Sequence, residues 1–175
     1  MNANNELPKR KRNRLKYFDY SSCGAYFITI CTNNRECTLS NIVGAIHESP
    51  VIELTEYGKI VDRAINTMST RFNIAIDTYV IMPNHIHLLM VIENKDEKRS
   101  IRESTLQKRS VISKAIGFMK MNASRIIHNQ HGNAKVWQRS FHDHIIRNRQ
   151  EYEKIYKYIY ENPISWKYDC FYVEN

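Results

Sequence analysis

No run of apolar residues in this 175-residue chain approaches the ~20 needed to cross a membrane, which removes the helical membrane-spanning classes. The N-terminus carries a basic run that leads into no apolar segment, so it lacks the layout of a signal peptide. Cys23, Cys31, Cys37 and Cys170 form no Cys-x-x-Cys pair, which argues against zinc knuckles and against a disulfide framework. A reducing cytoplasm is the compartment this implies. There is no internal repeat and no break in composition that would mark a second domain. The expected organisation is a basic N-terminal arm over residues 1–19 and a single domain over residues 20–175. A clustered set of carboxylates, as metal phosphoesterases use, is also lacking.

What the chain has in excess is positive charge, and that charge is segregated. Residues 1–32 hold six basic side chains against two acidic, and residues 107–149 hold nine against one. The two remaining segments are each net acidic by two. Segregation of this kind suits a polyanion, most simply nucleic acid, although a solvated basic face with no ligand has the same composition. The candidate phosphate contacts are Lys9, Arg10, Lys11, Arg12, Arg14 and Lys16 in the arm, with Lys120, Arg139 and Arg147 in the internal segment.

Hydrophobic periodicity gives the element order. Residues 25–32 read as a strand apolar on both faces at its centre, and therefore central in a sheet. Residues 38–55 read as a loop or irregular hairpin, punctuated by Gly44 and Pro50. Thr55 is placed to cap a helix with Leu54, Gly58, Val61, Ile65 and Met68 on one side. Residues 74–80 form a strand that turns at Pro83-Asn84 into a second strand opened by His85 and His87. Residues 93–106 are highly charged and without period, the pattern of a mobile connection. Ser110 caps a helix with an apolar stripe of Ile112, Ile116, Met119, Ala123 and Ile126, closed by Gly132. A fourth strand falls within residues 135–147. The last helix covers residues 150–162, with Tyr152, Ile155, Tyr156 and Ile159 as its buried stripe, and ends near Pro163. The order β-α-β-β-α-β plus a C-terminal helix is an α+β, ferredoxin-like arrangement: an antiparallel sheet with helices on one face.

Two places carry chemistry. His85 and His87 share one face of their strand, because strand side chains alternate. Paired imidazoles on a rigid strand form half a metal site, since neutral imidazole is the commonest metal ligand. Two histidines satisfied by hydrogen bonds at a sheet end are the plain alternative, yet nothing in core packing calls for two polar rings in so apolar a strand. On the last helix, at about 100° per residue, Tyr158 falls roughly 120° from the middle of the buried stripe and Asn162 roughly 80° off it on the same side. They are neighbours on a flank. Tyr158 as a boundary tyrosine and Asn162 as a C-terminal cap are the plain alternatives. Tyr152, Tyr156 and Tyr160 are rival hydroxyls, the first two directed toward the stripe. His142-Asp143-His144 is a second His-x-His, in a mixed polar setting that suits DNA contact or support of the site.

Ile81-Met82-Pro83-Asn84-His85-Ile86-His87 resembles the His-hydrophobic-His motif of the HUH single-strand endonucleases. It is more similar still to the single-tyrosine transposases of insertion sequences and their REP-associated tyrosine transposase relatives. Trp137-Gln138-Arg139, Phe141, Asp143-His144 and Ile146-Arg147-Asn148 resemble the segment that precedes the last helix in that family. Tyr158-Ile159-Tyr160-Glu161-Asn162-Pro163, followed by Trp166, resembles its nucleophile helix. The matches run in order over residues 20–169. The resemblance implies a ferredoxin-like core that cuts and rejoins single-stranded or hairpin DNA through one tyrosine and a divalent metal, Mg²⁺ or Mn²⁺. It implies that Tyr158 is the nucleophile and that His85 and His87 are metal ligands completed by Asn162. Some relatives have Gln where this chain has Asn162. No membrane partner is implied, and monomer and homodimer both stay open. A non-catalytic DNA-binding or repressor protein on the same fold is the alternative function; it has no use for His85, His87 and Tyr158 together.

Overall fold

The computed structural model describes residues 23–44, 51–93, 110–132 and 135–173. The basic arm of Lys9 to Lys16 and most of the charged connection expected over 93–106 lie outside these residues. The elements are β1 (Gly24–Cys31), β2 (Ser40–Val43), β3 (Val51–Leu54), α1 (Glu56–Phe72), β4 (Ala75–Ile81), β5 (His85–Ile92), α2 (Val111–His131), β6 (His142–Ile146) and α3 (Arg149–Glu161). Four strands form one antiparallel sheet in the order β4-β5-β1-β6. With α1 and α2 as the crossovers, this is the ferredoxin-like topology. β2 and β3 pair as a separate two-stranded hairpin inserted before α1.

Alternation in β1 and β5 divides the interior into two layers. Tyr26, Ile28 and Ile30 of β1 and Ile86, Leu88 and Met90 of β5 point to the α1/α2 side and are fully buried there, against Ile65, Met68, Ile116 and Met119 among others. The opposite face holds a smaller apolar cluster of Val80, Met82, Leu89 and Ile159, with Phe27, Tyr152, Ile155 and Trp166 against it. Helix α3 therefore covers the face that α1 and α2 leave bare. Placing the helices on one face holds for the two crossovers, and the added helix lies on the other. Because both faces of β1 are covered, its sequence is apolar on both sides.

The helix ends follow the capping rules. The Thr55 hydroxyl accepts from the Gly58 N–H at 3.1 Å to start α1, and Asn73, in the left-handed region at φ 50°, ends it. The Ser110 hydroxyl accepts from the Ser113 N–H at 3.2 Å to start α2. Two positions differ from the expected stripes. In α2 the buried residue is Ile127, while Ile126 is 37% exposed, since the stripe drifts with the 3.6-residue turn. In α3, Tyr156 is 44% exposed and lies outside the core. This helix rests on a narrow strip of sheet, and only Ile159 of its length is buried.

The turn between β4 and β5 is itself interior: Met82 and Asn84 have no exposure. Its carbonyls are satisfied by the loop after β1. Thr32 donates its N–H to Asn84 O at 2.9 Å, and Leu39 donates its N–H to Pro83 O at 2.9 Å. The strand that carries the two histidines is thus clamped at its start.

Candidate active site

His85, His87 and Leu89 face α3, and the register sets His87 beside Thr29 and His85 beside Cys31. Both imidazoles are buried, with ring centroids 4.5 Å apart. The proton position on His85 follows from its neighbour. Asn84 donates its amide Nδ2 to Phe171 O at 2.8 Å and to Arg35 O at 3.3 Å, so its Oδ1 is left to accept. That oxygen lies 2.9 Å from His85 Nδ1, which must then carry the hydrogen. His85 Nε2 is left with a lone pair, buried and without a hydrogen-bond partner. His87 Nδ1 meets the Thr29 hydroxyl at 2.9 Å, and its Nε2 faces the same space as that of His85.

Helix α3 and the segment after it close this space. The Tyr158 hydroxyl stands 3.3 Å from His87 Nε2 and 3.2 Å from Asp169 Oδ2. Asn162, one turn further and fully buried, donates its Nδ2 to Asp169 Oδ2 at 2.9 Å, and its Oδ1 has no partner. The Phe171 N–H donates to Asp169 Oδ1 at 2.7 Å. Tyr158 and Asn162 thus share the flank that helical spacing predicts, and that flank faces the histidines. Asp169 was not among the residues the sequence singled out. It sits in an aperiodic, aromatic-rich stretch between Trp166 and Tyr172, and the signal that could have found it is a lone carboxylate one short loop beyond Asn162-Pro163.

His85, His87 and Asp169 each offer a ligand atom, all within 4.8 Å of one another, and form a group that can hold a metal ion. The donor set of two imidazole nitrogens and a carboxylate suits a divalent transition ion. Two orphaned buried acceptors, His85 Nε2 and Asn162 Oδ1, are what such an ion would satisfy. Burial is the main cause that drives the His85 pKa down to about 4 and that of His87 to about 3, so both rings are neutral at pH 7, the form that ligates. For Asp169, burial pulls upward, but the Phe171 N–H and the Asn162 amide outweigh it and hold the carboxyl below its usual range. Burial, then the charge of Asp169, push the Tyr158 phenol well up.

The other expected site residues lie elsewhere. Lys120 is turned inward: its ammonium donates to Gln138 O and, at 3.1 Å, to Ser140 O, while Trp137 Nε1 donates to Lys120 O at 3.2 Å. Burial lowers its pKa to about 8. It holds the two peptides that flank Arg139, which is itself exposed, as is Arg147. Asp143 pairs across from Ile28 and so belongs to the α1/α2 face, away from the histidines; strand alternation places it there. His144 shares the α3 face but pairs with Glu151 at 2.7 Å, not with His85 or His87. Tyr152 donates its hydroxyl to Asp77, at the irregularity in β4, and pins α3 to the sheet edge. Tyr160 is 75% exposed.

No protein-family model matches the chain. It is 34% identical to an uncharacterized protein of Haemophilus influenzae, over 94% of both chains. It is 26% identical to a candidate REP-associated tyrosine transposase of the same organism, over 86% of this chain and 76% of that one. The REP-associated tyrosine transposase of Escherichia coli K12 is 24% identical over 83% of this chain and 70% of its own. Among solved structures, a REP-associated tyrosine transposase bound to a REP hairpin superposes with a TM-score of 0.59 over 91% of this chain and 76% of its own, at 20% identity. The fold is that of a tyrosine transposase. Within that class, the chain is similar to the REP-associated tyrosine transposases.

Proposed function

We propose that this protein cuts and rejoins single-stranded or hairpin DNA, with Tyr158 as nucleophile at a metal site formed by His85, His87 and Asp169 and bordered by Asn162. The observation that carries this reading is that His87 Nε2 and Asp169 Oδ2 both lie within 3.3 Å of the Tyr158 hydroxyl, beside two buried acceptors that lack partners. A DNA-binding protein that did no chemistry would have no use for that arrangement.

A divalent ion, Mg²⁺ or Mn²⁺, would draw charge from a phosphate oxygen and favour the phenolate of Tyr158. The chain's own residues do the rest. Asn84 and Thr29 fix the two rings through Nδ1, so that both Nε2 atoms face the substrate side. The Tyr158 oxygen attacks phosphorus, the bond to the 3′ oxygen breaks, and a 5′-phosphotyrosine forms. The phenol proton passes to Asp169 Oδ2, which already accepts its hydrogen bond, and on to solvent, while the departing 3′ oxygen takes a proton from water to become a hydroxyl. The phosphotyrosine keeps the energy of the broken bond, so a second 3′-hydroxyl reseals the strand without ATP. The phosphate contacts assigned to this role are Arg139, Arg147 and the arm of Lys9, Arg10, Lys11, Arg12, Arg14 and Lys16, with Lys120 as their support.

The test is incubation with labelled hairpin DNA and Mn²⁺, followed by denaturing electrophoresis. A covalent protein–DNA adduct is expected, and a His85→Ala/His87→Ala double variant should form none. Undiminished cleavage by that variant removes the metal assignment. Binding without an adduct from the unaltered protein replaces the enzyme with the binder.

A further inference from the structure

We propose that Arg35 binds a backbone phosphate of the DNA strand held at the His85–His87 site, as a substrate-contacting residue outside every motif that points to that site. The inference rests on the reading of the site as a DNA-cutting centre.

The chain goes to some length to place this side chain. Directly after β1, the turn Asn33–Arg35 holds two successive non-glycine residues in the left-handed region, Asn34 at φ 52° and Arg35 at φ 59°. Asparagine tolerates that conformation; arginine is seldom found there. Four hydrogen bonds hold the turn. Asn33 N–H donates to Val136 O at 2.9 Å, Arg35 N–H to Thr32 O at 3.3 Å and Glu36 N–H to Asn33 O at 3.1 Å. The fourth is Asn84 Nδ2 to Arg35 O at 3.3 Å. Asn84 is also the residue that orients His85. Backbone position at Arg35 and ring position at His85 are therefore fixed by one amide.

The guanidinium lies 5.1 Å over the Phe171 ring, whose own centroid is 4.6 Å from that of His85. Of its five N–H groups, one donates, from Nη1 to Cys170 O at 3.2 Å, and among the described residues no carboxylate pairs with it. Stacking on an aromatic ring leaves the edge of the fork free, and that edge matches the geometry of a phosphate. An exposed cation with open donors, one ring away from His85, is placed to meet a phosphate of a strand held at that cluster.

The experiment measures affinity for a hairpin with a single-stranded extension, as a function of salt, in a Tyr158→Phe background that cannot cut. Arg35→Gln should weaken binding about tenfold, the effect of one charge-assisted contact, and flatten the salt dependence by a slope of about 0.7, as for one single-strand phosphate. Arg35→Lys should restore the slope. Replacing phosphates singly with neutral methylphosphonate should reveal one position that weakens the arginine protein about tenfold and leaves the Arg35→Gln protein unaffected. If Arg35 only braces the Phe171 segment, Arg35→Gln will keep the full slope and the two methylphosphonate profiles will coincide, and the proposal fails while the site stands. A protein that binds no hairpin even with Arg35 present overturns both readings.

Discussion

Replacing Tyr158 with phenylalanine removes one oxygen, near His87 and Asp169, and keeps the edge contact of the ring with Phe27 at 6.0 Å. Asp169 retains its bonds from Asn162 and Phe171. The stability cost should be at most about 1 kcal/mol, measured by urea unfolding, while the covalent adduct disappears. Tyr156→Phe and Tyr160→Phe, on the flank away from the histidines, should retain it. An adduct from Tyr158→Phe would show the nucleophile to be another residue. Asn84 offers a second test. Asn84→Ala leaves the His85 Nδ1–H without its acceptor inside the protein, which should cost about 1–3 kcal/mol. It should also lower affinity for Mn²⁺ by about 10–100-fold, the usual effect of losing an outer partner of a ligating histidine. Titration calorimetry reads the second effect independently of the first.

At the scale of elements, α1 meets the loop before β2 so closely that a Cβ on Gly58 would sit 2.0 Å from Leu39 O. Backbone cannot yield as a side-chain tip does. Gly58→Ala should therefore destabilise by about 1–3 kcal/mol or more, seen as a drop in Tm, although alanine is the better helix former. Helix α3 depends on Ile159 in the same way, packed among Val80, Met82 and Leu89. The strands and both crossover helices were legible in the sequence because each has one strong period, and Thr55 and Ser110 announced their helices as caps. The His85–His87 face and the Tyr158–Asn162 flank were legible for the same reason: alternation and helical phase place side chains without any knowledge of the fold. Asp143 and His144 are adjacent on β6, so the same alternation sends them to opposite faces, and of the two His144 shares the face of the histidines. Asp169 and Arg35 were not legible. Each lies in a turn whose path is set by contacts with Asn84, Phe171 and Val136, distant in the chain, and no local pattern encodes that.

For the whole molecule, the buried neutral histidines set the response to acid. Unfolded, they take up protons near pH 6.5; folded, they resist until about 4 and 3. Between these limits the unfolded state binds more protons, so stability is complete above about pH 6.5 and is lost as pH falls toward 3. Asp169, held below its usual range, acts in the same direction. Urea unfolding at stepped pH should show this decline, and a His85→Ala/His87→Ala protein should show a shallower one. Mn²⁺ should raise Tm at pH 7 in the unaltered protein, with EDTA reversing the rise. Among the described residues no helix is long and apolar enough to cross a membrane.

The central place of β1 has a consequence in time. Thr29 must find His87, 58 residues on, and then His142 further still, before β1 is paired on both edges. The β4–β5 hairpin, by contrast, is closed by a short turn and can assemble within microseconds. The histidine pair thus arrives early, on a preformed ribbon, while the first strand among the described residues waits longest for partners. During that wait β1 is a bare apolar segment with two open edges, the kind that joins other chains. Refolding yield should therefore fall with protein concentration, and the strand that makes the site rigid once formed is the one on which correct assembly depends.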